Sequence, residues 1–307
     1  MRSPGLPPHA APVGSAGAGR PFSWGAEALW QTLEPLLPGL TIEIVERIDS
    51  TNTELSDRLR RASRLTGRRE GGGRSDDLQP QLLVATHQTA GRGRLGRRWH
   101  AEPGASLTFS LALPLERADW SGLSLAVGLA LADALDPAGQ RIGLKWPNDL
   151  MLLEPPALAA GAAGAADRGV GRKVGGILIE SVLFGAMRFA IVGIGLNVRM
   201  PAAEHDLGVA ALTELDPSAS ARETLATVAP ALVRALVTFR DAGFAPLVEA
   251  YGQRDVLRGR PVTTTDPGLP AGVATGVDAD GALRLVIGGT THRVISGEVS
   301  VRPAAPR

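Results

Sequence analysis

The sequence predicts an α+β fold in two parts: interspersed helices and strands over residues 23–255, and a small all-β unit over 256–307. Three observations predict it. Val174–Leu183 and Arg188–Val198 read as apolar strands joined by a turn near Phe184-Gly185-Ala186, which makes them antiparallel neighbours. Gly122–Leu135 and Ala221–Arg240 read as helices, the first of them apolar. After Val256 the chain breaks into short strands separated by turn residues, the pattern of a small barrel.

The elements follow in chain order. Residues 1–22, rich in Pro, Ala and Gly, are expected to form a disordered tail. Residues 23–38 place Trp24, Ala28, Leu29, Leu33, Leu36 and Leu37 at a spacing that suits a short helix. Thr41–Ile48 alternates as a strand, and Asn52–Leu65 reads as a charged helix. Gly71-Gly72-Gly73 within Arg68–Asp77 marks a solvated loop or insertion. Leu82–Ala85 is a buried strand and Ser106–Leu113 another. Ile142–Trp146 is a strand closed by Pro147, and Leu150–Leu153 is a short strand. The Ala/Gly-rich stretch Pro155–Gly171 is expected to be a flexible insertion, and Ala245–Tyr251 to be helical. In the C-terminal unit, Pro261–Thr265, Gly272–Val277, Ala282–Ile287 and His292–Val301 read as strands, with a hairpin turn at Asp278-Ala279-Asp280-Gly281. A unit this small is expected to dock on the larger one.

Composition narrows the function. With 44% hydrophobic and 4% aromatic residues the core should be aliphatic, and a net charge of +1 gives no general attraction to nucleic acid or membrane. The absence of cysteine excludes disulfides, thiolate metal sites and a cysteine nucleophile. The five histidines are scattered, so no dedicated transition-metal site is expected. No apolar run reaches the ~20 residues of a membrane span, and nothing resembles a signal peptide, so a cytoplasmic protein is expected.

Against this background five residues stand out. Of 32 basic residues only Lys145 and Lys173 are lysine, and the only asparagines are Asn52, Asn148 and Asn197. A lysine is a compact point charge where arginine is a planar fork, so a chain that uses arginine elsewhere keeps lysine where a fork would not serve. All five lie in short polar segments: Asp49-Ser50-Thr51-Asn52, Lys145-Trp146-Pro147-Asn148-Asp149, Lys173-Val174-Gly175-Gly176-Ile177 and Gly193-Ile194-Gly195-Leu196-Asn197. A further segment, Gly91-Arg92-Gly93-Arg94-Leu95-Gly96-Arg97-Arg98-Trp99, follows a buried strand. Its glycines free the backbone to wrap an anion, its arginines offer forked donors, and Trp99 offers a flat stacking surface. Alone, such a run also suits a solvated basic loop. It is not a nucleotide P-loop, because no Gly-Lys dipeptide occurs. Gly193-x-Gly195 lacks the third glycine of a dinucleotide fingerprint, Val198 standing there. Asn197 could read an adenine edge or sit in a plain tight turn. Lys145 and Asp149 have open roles, as ligand contacts or as braces. Ser50-Thr51-Asn52 fits a helix N-cap with Glu54 in a capping-box-like place, which still leaves a hydroxyl for a ligand. No Gly-x-Ser-x-Gly nucleophile elbow is present.

Taken together, Asp49–Asn52, Gln88–Trp99, Lys145–Asp149, Lys173–Glu180, Gly193–Asn197 and Ser296–Arg302 resemble the biotin protein ligase family, over about residues 41–302. The resemblance implies a mixed, largely antiparallel sheet flanked by helices (the biotin/lipoate ligase catalytic fold) and a C-terminal SH3-like barrel. It implies the monofunctional type, without an N-terminal DNA-binding domain, and leaves the oligomeric state open. Departures are the insertions at Arg68–Asp77 and Pro155–Gly171, and Leu95 where the family often has arginine.

The resemblance also implies the chemistry: ATP and biotin as substrates, Mg²⁺ arriving with ATP rather than on a protein site, and a biotin carboxyl carrier domain of an acyl-CoA carboxylase as partner. Lys173, Arg94 and Asp149 would be catalytic. Ser50, Thr51, Asn52, Gln88, Arg92, Gly93, Arg94, Lys173 and Gly176 would bind biotin. Arg94, Arg97, Trp99, Asn148, Asn197 and Arg302 would bind nucleotide, with Glu298 near it. Lipoate–protein ligase is the nearest rival, disfavoured by the Gln88–Trp99 signature, and an Arg/Gly-loop RNA-binding protein is a more distant one.

Overall fold

Seven strands form the larger sheet: β1 (Thr41–Ile48), β2 (Gln81–Gln88), β3 (Ser106–Pro114), β4 (Ile142–Lys145), β5 (Asp149–Leu152), β6 (Arg172–Phe184) and β7 (Met187–Asn197). Their order is β1-β2-β3-β7-β6-β5-β4, in a computed structural model that describes residues 24–66, 79–154, 170–201, 208–295 and 301–303. The expected tail 1–22, the loop 68–77, most of the insertion 155–171, and Glu298 lie outside the described residues. Only β1 and β2 run parallel. A parallel pair needs a crossover rather than a hairpin, and α2 (Thr51–Thr66) lies in that connection.

Side-chain alternation sends the two faces of the sheet to different partners. Leu82, Val84, Leu111, Val192 and Ile194 face a core shared with α1 (Ala26–Leu33), α3 (Leu123–Leu135) and α4 (Ala221–Ala242). The intervening Leu83, Ala112, Phe189 and Ile191 pack with Leu55 and Leu59 of α2. The largest buried residues are mostly leucines and phenylalanines, with Trp146 and Tyr251 the bulkiest. At the start of α4 the Ser220 hydroxyl accepts from the Glu223 N–H at 3.2 Å and caps the helix.

Boundaries differ from the sequence reading where backbone pairing outruns the apolar run. β2 continues to Gln88, and β6 begins at Arg172 so that it includes Lys173. The stretch His292–Val301, expected as one strand, is two. Gly288 and Gly289, at φ 56° and 83°, turn the chain between β10 (Leu283–Ile287) and β11 (Thr290–Val294). A separate β12 (Val301–Pro303) then pairs with β8 (Pro261–Thr264). Ala245–Leu247 is a 3₁₀ turn, and α5 (Val248–Arg254) extends beyond Tyr251. The five C-terminal strands, with β9 (Ala271–Val277), form an antiparallel sheet in the order β11-β10-β9-β8-β12.

A few specific bonds hold this second sheet, and the end of α5 that leads into it, against the larger unit. The fully buried Trp146 donates its indole N–H to the Gly281 carbonyl at 3.0 Å. Val256 N–H donates to Leu144 O at 3.0 Å. Arg254 reaches Asp133, the Asp136 carbonyl and the Ile142 carbonyl at 2.7–2.9 Å. Beside it Asp255 is buried. One of its oxygens accepts from Leu257 N–H at 2.9 Å and the other has no partner among the described residues. Burial raises its pKa to about 6, opposed by the Leu257 N–H and by Arg258. A carboxyl whose folded pKa lies above its unfolded value holds its proton more tightly when folded. Its contribution is therefore greatest at low pH and declines as pH rises through about 6. The shift from 3.8 corresponds to ~3 kcal/mol. Asp255→Asn is therefore expected to gain thermal stability over the parent at pH 8 and little at pH 4. An equal difference at both pH values in paired melts would contradict this.

Candidate active site

A cleft, about 980 Å³ of space counting its open mouth, opens on the α2 face of the sheet. Its floor exists because the sheet changes character there. Along the same face that carries Ala112, Phe189 and Ile191, the paired positions become Thr108, Ser110, Gly176, Gly193 and Gly195. A Cβ at Gly195 would sit 2.5 Å from the Trp99 ring, and one at Gly193 would overlap the Asn52 amide. The two glycines thus admit one side chain from the arginine segment and one from α2.

Uncharged hydrogen-bonding groups gather at the N-terminus of α2. Ser50, Thr51 and Gln88 are buried and line the cleft. Ser50 accepts from Thr53 N–H at 3.4 Å, a long capping bond that leaves its hydroxyl proton to give. The Gln88 side-chain oxygen accepts from the Thr51 N–H at 2.7 Å. Glu54 does not return a capping-box bond. It pairs with Arg58 at 2.7 Å, one helical turn on. Asn52 is a strut: its amide donates to Leu178 O at 3.3 Å and to Glu180 at 2.9 Å, and its oxygen accepts from Ser110 at 2.6 Å.

At the other end the chain's two lysines share one carboxylate. Lys173 Nζ lies 2.6 Å from Asp149 Oδ1, and Lys145 Nζ lies 3.6 Å from Asp149 Oδ2. Gly176 opposes Asp149 across the β5–β6 pair, and a Cβ there would lie 3.3 Å from Lys173 Nζ. Asn148 donates to Ile177 O at 2.9 Å and accepts from Arg94 at 3.3 Å.

The arginine segment folds over these groups. Trp99 N–H donates to Gly91 O at 2.9 Å and Gly93 N–H to Arg97 O at 2.7 Å, so the segment doubles back on itself. Leu95, exposed at the tip, takes φ 57°. Arg92 pairs with Glu180 at 3.0 Å. Burial lowers the pKa of Arg94; the Asp149 carboxylate opposes that and the Arg97 charge adds to it. Lys173 Nζ stands 5.8 Å from the Trp99 ring centroid. The Trp99 indole N–H is buried with no partner among the described residues.

The structure thus brings Ser50, Thr51, Asn52, Gln88, Arg92, Gly93, Arg94, Arg97, Trp99, Asn148, Asp149, Lys173 and Gly176 to one cleft. Asn197 is not in its wall. It is buried and donates to Ala210 O at 3.2 Å. Ala210 N–H donates to Lys173 O at 2.8 Å, and Lys173 N–H to Gly208 O at 2.7 Å. Asn197 thereby braces the segment that holds the Lys173 backbone, a different place from the adenine edge expected of it. Arg302 lies in β12, and its side chain is outside the described residues.

Comparison with known proteins agrees with this geometry. Residues 44–197 match the biotin/lipoate A/B protein ligase family, and residues 258–302 match the biotin protein ligase C-terminal domain. The biotin–[acetyl-CoA-carboxylase] ligase of Mycobacterium tuberculosis is 31% identical over 270 residues, covering 84% of this chain and 88% of that protein. The chain belongs to the biotin protein ligase family. The bifunctional ligase/repressor of Escherichia coli is 30% identical over 276 residues, 87% of this ligase and 76% of that protein. Among solved structures, the biotin protein ligase of Aquifex aeolicus in complex with biotin and ATP aligns at a TM-score of 0.66 with 26% identity, covering 86% of this chain and 99% of that one. Among the described residues of this ligase, no helix is long and apolar enough to cross a membrane.

Two residues of the ligase's cleft network escaped the sequence reading as site residues, Ser110 and Glu180. One signal was available: Thr108-x-Ser110 interrupts an apolar strand with small polar residues on one face, as Gly193-x-Gly195 does in its partner strand.

Proposed function

We propose that this protein activates biotin with ATP to biotinyl-5′-AMP and transfers the biotinyl group to a lysine of a biotin carboxyl carrier domain of an acyl-CoA carboxylase. The observation that carries the proposal is the meeting of both lysines on Asp149, between an uncharged hydrogen-bonding end and an arginine segment. In the first step the biotin carboxylate attacks the α-phosphorus and pyrophosphate leaves. In the second a carrier amine attacks the mixed anhydride and AMP leaves. Two anions must approach in the first step, so positive charge placed in advance lowers its barrier.

Each residue then has a part. Ser50, Thr51 and Gln88 would pair the polar atoms of the ureido head, each unpaired one costing about 1–3 kcal/mol. Lipoate has no such head. Lys173 would face the carboxylate and α-phosphate in both steps. Arg94 and Arg97 would hold phosphate oxygens, and Trp99 would lie against the ligand. Asn52 and Asn197 would act through their neighbours. Mg²⁺ would come on the triphosphate, where its chemistry is to neutralise phosphate oxygens. Among the described cleft-lining residues Asp149 is the single acid, and it is shared by two lysines.

Incubation of the purified protein with biotin, MgATP and a carrier domain is expected to label one carrier lysine, and labelling is expected to require ATP. Efficient labelling by lipoate instead of biotin would overturn the biotin assignment. The arginine segment is expected to close further over ligand and exclude water from the anhydride. Cleavage between Arg92 and Arg98 by trypsin should therefore slow when biotin and MgATP are both present. Unchanged cleavage would contradict a closing segment.

A further inference from the structure

One hydrogen-bonded line runs from the uncharged end of the cleft to the arginine segment, through two residues with no part in the chemistry above. Asn52 is its centre. Its Nδ2 faces two groups that can only accept, the Leu178 carbonyl at 3.3 Å and the Glu180 carboxylate at 2.9 Å. Its Oδ1 therefore faces Ser110 and can only accept, so the one proton of Ser110, 2.6 Å away, is committed to it. Ser110 Oγ also lies 2.6 Å from Thr51 Oγ1. With its own proton spent, Ser110 can only accept there, so the single Thr51 proton has two acceptors, Ser110 at 2.6 Å and the Gln88 side-chain oxygen at 3.1 Å, both on the protein side. Thr51 then has only lone pairs left for a ligand. On the other side Glu180 uses its second oxygen to hold Arg92 at 3.0 Å. Ser110 is fully buried and Asn52 nearly so, which makes misdirected protons in this line costly.

We propose that Ser110 and Glu180 are positioning residues for urea recognition, an inference that rests on the proposed ligase function. Ser110 fixes Thr51 as an acceptor for a ureido N–H. Glu180 ties that setting, through Asn52, to the placement of Arg92. A urea carries two N–H donors and one carbonyl acceptor. A cleft end offering Ser50 and the Gln88 amide as donors to the two carbonyl lone pairs and Thr51 as an acceptor pairs the carbonyl and one N–H, whereas three hydroxyl or amide donors would pair neither N–H. Removing Ser110 takes away the shorter of the two contacts that hold the Thr51 proton off the ligand and leaves only the 3.1 Å contact to Gln88. Neutralising Glu180 loosens Arg92 and weakens the hold on the Asn52 amide.

The test uses Ser110→Ala, Glu180→Gln and the double variant in the full-length protein. Biotin binding is measured by calorimetry, and the KM values for biotin and ATP come from pyrophosphate release. Each single variant is expected to weaken biotin binding and raise its KM by about tenfold, equivalent to ~1.4 kcal/mol, with the KM for ATP within about twofold of the parent. Because the residues act in one line, the double variant is expected to lose much less than the product of the single losses. A parent-like biotin affinity in both single variants, equal losses for biotin and ATP, or a fully multiplicative double variant would each overturn the inference. A parent protein that binds no biotin would remove the proposed function and the inference together; a parent that binds it while the variants are unchanged removes the inference alone.

Discussion

Lys173→Arg is expected to lower kcat for biotin-dependent pyrophosphate release by about a hundredfold or more, the scale on which preplaced charge acts at a developing anion. The substitution keeps the charge, so a role in bulk electrostatics would survive it. Geometry argues for loss. The ammonium sits 2.6 Å from Asp149 and over Gly176, where a Cβ would lie 3.3 Å from it. A guanidinium there would lay its fork flat on the Asp149 carboxylate and turn its remaining donors away from the cleft. The KM for ATP is expected to move far less than kcat, since Arg94 and Arg97 remain. Near-parent turnover by Lys173→Arg in a steady-state assay would refute the point-charge argument.

The second large effect is expected from Asp149→Asn, on the order of a hundredfold in kcat, the cost of an ångström-scale misplacement of a reacting group. Asp149 is the counter-charge for Lys173 and Lys145, and its field also acts on Arg94. The amide keeps the shape and removes that charge. Three cations then face one another, and Lys173 is no longer held at a fixed point. Anion binding should not suffer, so the KM for ATP is expected to stay level or fall while kcat drops. A rise in the KM for ATP with kcat preserved would assign Asp149 to nucleotide binding and contradict its placing role.

Rarity in the sequence located much of the cleft. Lys145, Lys173, Asn52 and Asn148 all reach its wall. Asn197, marked by the same cue, lies outside the cleft wall. Its amide serves Ala210, and nothing local in Gly193-Ile194-Gly195-Leu196-Asn197 tells that the backbone of Lys173 hangs on the segment beyond. Asn52 was likewise marked as a ligand contact, whereas its polar atoms are spent on Ser110, Leu178 and Glu180, between 58 and 128 residues away in sequence. Such partnerships depend on strand order, and no periodicity reports it. The antiparallel β6–β7 pair was legible because a turn joins two apolar runs directly. The division of His292–Val301 was missed because β12 is set by its pairing with the sequence-distant β8, which alternation does not report.

That a carboxylate and a nucleotide are joined within this single cleft can be tested without any carrier protein. The enzyme is mixed with excess biotin and MgATP, separated from free ligand, and its bound contents are identified by mass spectrometry alongside pyrophosphate released. The expected result is about one biotinyl-5′-AMP retained per chain, with matching pyrophosphate, and a sharp fall in both for Lys173→Arg. Biotin and ATP recovered unchanged, or an adenylate formed equally well from lipoate, would contradict it.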